Sequence, residues 1–386
     1  MKKKRTKSAA ARRPKSPSLL TLFPDCLKKA YTAKDAENVE PVIRDLRECY
    51  LHRGLVLYLG SGVSRSVGLP NWQELVRSLT VTMMSQKVTN AFGALGKPED
   101  EKFWSTLSAI HEDVEKGADY GKPILMMARA IKDELGSDLQ WIVTRNLARH
   151  FRRHRAPTVQ RLPRGRVRFM HSKANQRSEL LDAIVALARS ERDVKGVQAI
   201  INYNYDDIVD ETLRAEHVQC TTVRSGKDKV ETAMLPCYHV HGVLPVYKTS
   251  RNPFREASAH MNAGNFVFSE DEYHVEYMDP YRWSNMTQMS NLGRHSGLFI
   301  GLSMEDPNIR RLLDVTHRQY PDMQHYAILT RKVSLRDSTD SKNSVLRNLF
   351  EQVEANSFKK IGVNVIWVDS HDLVPGILNK ICTTCI

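Results

Sequence analysis

Leu55-Val-Leu-Tyr-Leu-Gly-Ser-Gly-Val-Ser-Arg-Ser-Val-Gly-Leu-Pro-Asn-Trp72 is the segment that says most about the architecture of this chain. The five apolar residues at 55–59 predict a short buried strand that runs directly into Gly60-Ser61-Gly62. A strand, a glycine-rich turn and then a helix form the phosphate-binding turn of many α/β proteins, because glycine lets backbone N–H groups approach a phosphate. The turn departs from the G-x-G-x-x-G pattern, since Arg65 takes the third glycine position and the next glycine is Gly68.

Length and composition predict a soluble globular protein. The 386 residues are enough for one large domain with an insertion or for two domains, and 41% of them are hydrophobic. We expect no membrane-spanning helix, because no apolar run approaches about 18 residues. The basic N-terminus lacks the apolar core of a secretory signal. Six cysteines without a framework spacing are typical of a reducing cytoplasm, which is the location we expect.

The net charge of +13 is concentrated in two segments. Residues 1–17 carry eight Lys and Arg, and residues 145–177 carry ten Arg and one Lys, with no acidic residue in either segment. The remainder of the chain is mildly acidic. The two basic segments are either solvated surfaces or contacts for nucleic acid or an acidic partner, and composition leaves both interpretations open.

The pattern along the chain predicts an α/β fold with a mostly parallel sheet, a helical insertion and an N-terminal helical segment. Strands are predicted at 197–203, 237–243, 266–268, 297–301, 325–330 and 362–368, alternating with helices that include 307–320 and 344–355. Further helices are predicted at 72–84, 101–115, 123–135, 138–151 and 177–190, with part of the basic segment a loop because of Pro157, Pro163 and Gly165. The predicted organisation is a disordered tail at 1–17, a helical segment at 18–53, an α/β domain at 54–71 and 191–375, a helical insertion at 72–190 and a tail at 376–386.

Four polar motifs follow predicted strands. They are the turn beginning at Gly60, Asn204-Tyr-Asp206-Asp207, His241-Gly242, and Gly301-Leu-Ser303 with Asp306-Pro-Asn308. Ligands of open α/β sheets bind at the carboxyl ends of the strands, so we expect these motifs to meet at one site.

In these ordered motifs the chain resembles the sirtuin superfamily and, more narrowly, the bacterial sirtuin-like NAD hydrolases of anti-phage defence. The resemblance spans about residues 50–370 apart from the helical insertion. It implies a Rossmann-like sirtuin domain with NAD as the substrate. The residues that it assigns to catalysis are Asn204, His241 and Asp206, and those that it assigns to binding NAD are Gly60, Ser61, Gly62, Val63, Ser64, Gly301 and Ser303, with Ser303 on the adenosine side.

The side chains of Asn204, His241 and Asp206 suit cleavage of the nicotinamide–ribose bond. The leaving nicotinamide is neutral, so the reaction needs a placed water and a base more than a strong acid. Asn204 can hold a water or a ribose hydroxyl, and His241 titrates near neutrality. Asp206 can accept from the nicotinamide amide and stabilise positive charge that develops on the ribose.

Zinc-dependent deacylase sirtuins differ from this chain in their cysteines. Those enzymes hold a structural zinc between two Cys-x-x-Cys pairs, and zinc needs four such ligands. In this sequence only Cys382 and Cys385 form such a pair. We therefore expect no zinc, and NAD hydrolysis is favoured over protein deacylation.

The resemblance also implies partners. Relatives of this type are members of two-component systems with a HerA-type hexameric ATPase, so we expect such a partner and a homo-oligomer. No Gly-x4-Gly-Lys-Ser/Thr loop occurs in this sequence, so a motor would come from the partner. The alternatives are a catalytically silent nucleotide-binding scaffold in a nucleic-acid complex, favoured by residues 145–177, and an NAD-dependent deacylase.

Four neighbouring residues have ordinary structural interpretations. We expect His239 to be a structural hydrogen bonder, and Asp207 and Asp210 to be charges at a helix N-terminus. Trp72 is expected to pack in the core under the glycine turn.

Overall fold

The strands follow the alternation that the sequence predicts. The structure, a computed structural model, describes residues 40–95, 105, 109, 124–155, 158–161, 167–170, 178–189, 194–251, 265–331 and 341–382. Within these residues the strands are β1 Leu55–Leu59, β2 Thr158–Arg161, β3 Val167–Met170, β4 Val197–Asn202, β5 Cys220–Val223, β6 Leu235–His239, β7 Ser296–Ile300, β8 His325–Thr330 and β9 Val363–Val368.

Seven of these strands form one parallel sheet in the order β5-β6-β4-β1-β7-β8-β9. The first strand, β1, lies between β4 and β7 and is buried along its whole length. The chain builds one side of the sheet from β4 to β6 and then crosses β1 to build the other side. A crevice forms at such a change of direction, at the carboxyl ends of the strands.

Helices flank the sheet, and its central strands β1 and β7 are buried along their whole length, as expected for a parallel sheet. In chain order they are α1 Glu40–Glu48, α2 Ser61–Arg65, α3 Trp72–Leu95, α4 Ile124–Leu135, α5 Leu139–Arg155, α6 Glu179–Ala188, α7 Ile208–Ala215, α8 Val246–Arg251, α9 Glu270–Met278, α10 Trp283–Arg294, α11 Pro307–Gln319, α12 Ser341–Lys359 and α13 Val374–Cys382. A π-helical turn, Cys49–Arg53, continues α1 and ends at Gly54, whose φ of 86° turns the chain into β1. The predicted α/β fold with an N-terminal helical segment is confirmed.

One predicted strand is not formed. Residues 266–268 do not form a strand. Val267 makes a single backbone–backbone hydrogen bond, from its N–H to the carbonyl of His241 at 3.1 Å. Phe268 is buried but does not pair with a neighbouring strand. Within residues 72–190, where we predicted helices and a partial loop, β2 and β3 form an antiparallel pair that the sequence did not predict. Their short alternation of Val and Phe with polar residues is strand-like, and Pro163 and Gly165 lie in the connection between them.

The sequence prediction also missed β5, a four-residue edge strand that pairs with β6. The predicted helix at 101–115 lies outside the described residues except at Ser105 and Ala109, which are helical. The predicted tail at 1–17, residues 18–39 and residues 383–386 also lie outside them. No helix in the described ranges is long and apolar enough to cross a bilayer.

Candidate active site

A small cavity lies where β6, β4, β1 and β7 end. Its volume is about 150 Å³, and its lining brings together the turn after β1, the loop after β4 and His241 after β6. Six of the ten residues predicted for the site line it: Gly60, Ser61, Ser64, Asn204, Asp206 and His241. The convergence follows from the parallel sheet, which places the carboxyl ends of neighbouring strands at one edge.

The glycine turn packs directly against the backbone that follows β7. A Cβ added to Gly62 would lie 2.6 Å from the Cα of Gly301, and Gly301 itself has a φ of +69°. The N–H of Gly62 donates to the carbonyl of Gly301 at 2.9 Å, and the N–H of Val63 donates to that of Gly60 at 2.9 Å. Gly62 and Gly301 are therefore required by this backbone contact, whatever they do for a ligand. The side chain of Val63 is fully buried in the core.

Asn204 and Asp206 tie the loop after β4 to the glycine turn. The side-chain amide of Asn204 donates to the carbonyl of Gly60 at 2.9 Å. The hydroxyl of Ser64 donates to Oδ2 of Asp206 at 2.6 Å, while Oδ1 accepts from the N–H of Ile208 at 3.2 Å. Burial raises the pKa of Asp206, and the hydrogen bond from Ser64 opposes that rise. Both carboxylate oxygens are thus already engaged by the protein.

His241 sits between two tyrosine rings at the cavity wall. Tyr203 and Tyr273 meet its ring edge to face, with centroids 5.2 and 5.7 Å away. Burial lowers the pKa of His241 below its ordinary value of 6.5, and the carboxylates of Asp306 and Glu276 oppose this. The imidazole is therefore neutral at pH 7, which is the form that can accept a proton.

The turn that carries His241 is held by a buried carboxylate on α9. Asn265 donates from its side chain to the carbonyl of Val240 at 3.3 Å and to Oε1 of Glu276 at 2.7 Å. Glu276 is 1% exposed, pairs with Nε of Arg282 at 2.8 Å and accepts from Ser284 at 2.5 Å. A satisfied buried network of this kind fixes the position of the loops that it joins.

His239 is a structural residue, as predicted. Its Nε2 lies 2.9 Å from Oδ2 of Asp210, and both side chains are fully buried. Burial lowers the pKa of His239, but the Asp210 carboxylate outweighs burial and leaves that pKa raised. The interpretation of Asp210 as a helix-terminal charge is incomplete, because its main contacts are His239 and the hydroxyl of Thr222.

Asp207 occupies the N-cap position of α7, at the helix terminus where it was predicted. Its Oδ1 accepts from the N–H of Tyr247 at 2.7 Å. Burial raises its pKa to about 7, although that hydrogen bond opposes the rise. A carboxyl group next to Asp206 therefore titrates near neutrality in the folded protein.

A second cavity of about 570 Å³ adjoins the first. The two share Ser61, Trp72, Tyr273 and Asp306 in their linings, and Ser303 faces only the larger one. Trp72, which we expected to pack in the core under the glycine turn, is half-buried and lines both cavities. Sequence patterns also missed Tyr203 and Tyr273, since an aromatic residue beside a motif is usually core.

In the described part of the chain, no cluster of three or more His, Cys, Asp or Glu side chains could hold a metal ion. Cys220 and Cys237 are buried on the neighbouring strands β5 and β6. Cys385 lies outside the described residues, so the expectation about zinc stays a prediction.

The fold and these loops define a Rossmann-like α/β domain. Residues 198–355 match the model of the SIR2-like domain family. The matched segment contains Asn204, His241 and Ser303, whereas the glycine turn lies outside it.

One curated relative is the protein named NAD(+) hydrolase ThsA from Enterococcus faecium. It is 22% identical to this chain over 195 residues, which cover 46% of this chain and 36% of ThsA. The chain thus spans little more than a third of the length of the relative that it matches.

Proposed function

We propose that this protein is an NAD⁺ hydrolase that releases nicotinamide and ADP-ribose and depletes NAD in anti-phage defence. One observation carries the proposal: Asn204, Asp206, His241 and the turn at Gly60 line a single cavity at the carboxyl ends of adjoining parallel strands. The similarity to the SIR2-like family and to a protein named as an NAD hydrolase supports the choice of substrate.

The two cavities suggest how NAD lies. Sites for small molecules usually measure about 300–1,000 Å³, so the inner cavity of about 150 Å³ can take only one end of a dinucleotide. We place the nicotinamide ribose there, beside His241. The adenosine end then lies in the outer cavity near Ser303, and the pyrophosphate passes Ser61, which lines both cavities.

In this arrangement the nicotinamide–ribose bond breaks with its electron pair going to the neutral nicotinamide. A water adds to the ribose carbon and gives a proton to neutral His241. Asn204 is anchored to Gly60 through its amide nitrogen, which directs its amide oxygen as the acceptor for that water or for a ribose hydroxyl. Asp206 holds the glycine turn in place by accepting a hydrogen bond from Ser64, and its carboxylate stabilises the positive charge that develops on the ribose.

Control by a HerA-type ATPase or by self-assembly is part of the proposal. An NAD hydrolase that is active without restraint would harm its own cell, so a trigger outside the catalytic site is expected. If the purified chain alone were a monomer and fully active, control of this kind would be ruled out.

The test is the loss of NAD, with nicotinamide and ADP-ribose quantified, for the wild type, Asn204→Ala and His241→Ala. His52→Ala is the matched control, since this histidine is 67% exposed on the π-helical turn before β1. Each is measured with and without a co-expressed genetic neighbour. Activity in the wild type and the control that is lost in both site variants supports the proposal. NAD that binds but stays intact in every sample supports the silent scaffold instead, and consumption that requires an acyl-lysine peptide supports a deacylase.

A further inference from the structure

Helix α5 exposes a row of arginines on one side. Arg145, Arg149, Arg152 and Arg153 are exposed and follow the four-, seven- and eight-residue spacing of a single helix face. The opposite side of the helix is buried in the core and includes Val143, Leu147, Ala148 and Phe151. We call the four exposed residues the arginine face.

The arginine face has no acidic partner among the side chains that the structure describes. Among the described residues, no acidic side chain lies within 4 Å of any of the four guanidinium groups, whereas Arg65, Arg189 and Arg282 each pair with a glutamate. The guanidinium carbon of Arg145 lies 4.3 Å from the centroid of the Trp141 ring, a cation–π contact that helps to hold this side chain in place. Burial, with added repulsion from Arg153 and Arg149, lowers the pKa of His150.

The chemistry of these side chains matches phosphate. Arginine presents a planar fork of donors that binds two phosphate oxygens at once, unlike the point charge of lysine. From Arg145 to Arg153 the face is about 12 Å long at 1.5 Å per residue. A strand of duplex nucleic acid carries a phosphate about every 3.4 Å along its axis, so the face can reach several phosphates of one strand.

The form of nucleic acid follows from the lack of stacking surfaces. Proteins that bind single strands usually supply exposed aromatic rings on which bases stack. Along the described side chains of α5, Trp141 is covered by Arg145 and Phe151 is buried. The described side chains of α5 therefore offer donors for a phosphate backbone but no exposed aromatic ring on which unpaired bases would stack, which favours a duplex.

We propose that the arginine face binds the phosphate backbone of double-stranded nucleic acid without sequence preference. This binding is independent of the proposed NAD hydrolysis, because it uses the outer side of α5. The inner side of the same helix contributes Leu147 to the small cavity, so the two sites share one rigid element.

The test measures binding of the full chain to a labelled duplex, and to its separate strands, as salt rises from about 50 to about 200 mM. The test variant is R145Q/R149Q/R152Q/R153Q. The matched control is R44Q/R294Q/K359Q/K360Q, which removes the same charge from exposed positions elsewhere. Residues 1–17 are present in every sample, so their contribution cancels.

The wild type and the control should bind the duplex with the same steep salt dependence. In a plot of log affinity against log salt concentration, each phosphate contact contributes about 0.9 to the steepness of the slope. Losing four contacts should reduce that steepness by up to about 3.6, so the loss of affinity between about 50 and about 200 mM salt should be up to about 150-fold smaller than in the wild type. A second variant with the four arginines changed to lysine should keep the slope and bind more weakly. Equal weakening in the test and control variants would overturn the proposal, as would tighter binding to single strands. Preferential binding of the face to phosphatidylserine vesicles would also overturn it.

Discussion

The hydroxyl of Ser64 donates to Oδ2 of Asp206 at 2.6 Å, although the two residues are 142 positions apart in the chain. Both side chains are buried. This bond joins the glycine turn after β1 to the loop after β4, and so holds together two parts of the candidate site.

Removing that hydroxyl should cost both stability and activity. We expect Ser64→Ala to lower the free energy of unfolding by about 1.5–3 kcal/mol, the usual effect of a hydrogen bond to a buried charge. Ser64→Thr retains the hydroxyl and should recover most of the loss. In denaturant unfolding, the effects of Ser64→Ala and Asp206→Asn should be strongly non-additive. Additive effects would mean that the bond does not couple the two loops.

The acidic limb of the pH–activity profile should report His241. Burial lowers the pKa of this histidine, so we expect kcat/KM for NAD to fall only below pH 6.5. Asp306→Asn removes a carboxylate that raises this pKa, so the limb should move to still lower pH. Asparagine also caps helices well, which preserves the N-terminus of α11. The control is Glu305→Gln, a change at the exposed residue next to Asp306. An equal shift of the acidic limb in both variants would contradict its assignment to His241.

Asp207 should make stability fall as pH rises. Its pKa is raised to about 7 by burial, so between the ordinary carboxyl value and pH 7 the unfolded chain ionises while the folded protein keeps its proton. Asp207→Asn, which can still accept from Tyr247, should therefore stabilise the protein above pH 7, by about 4 kcal/mol at most, and have little effect near pH 4. Thermal unfolding at several pH values measures this difference. The exposed Asp322→Asn should show no such trend.

The contact between Gly62 and Gly301 should tolerate no side chain. We expect Gly62→Ala to destabilise the protein by about 1–3 kcal/mol and to abolish NAD hydrolysis, because its Cβ would meet the Cα of Gly301 at 2.6 Å. Gly376→Ala is the matched control on α13, where a Cβ would meet nothing within 4 Å. That change should leave stability equal or raise it by up to about 1 kcal/mol. Similar losses in both variants would argue against packing as the cause.

Local pattern predicted the strands that are long and apolar. The runs at 55–59 and 325–330 are strands with the predicted bounds, since a buried parallel strand reads as a continuous apolar segment. The same reasoning failed at 266–268, where apolar residues are buried without a strand partner, and it passed over the four-residue edge strand β5. Burial is visible in composition, but hydrogen-bond pairing depends on residues that are distant in sequence.

The sequence by itself determined which polar motifs follow strands, and with them the meeting of Gly60, Asn204 and His241 at one edge of the sheet. A parallel sheet imposes that meeting whatever the intervening chain does. Only the tertiary structure decided that Trp72 and Tyr273 line the cavities and that Asp210 holds His239. It likewise decided that Asp306 lies close enough to His241 to affect its pKa. Those relationships depend on distances between side chains of separate elements, and no periodicity along the chain encodes such distances.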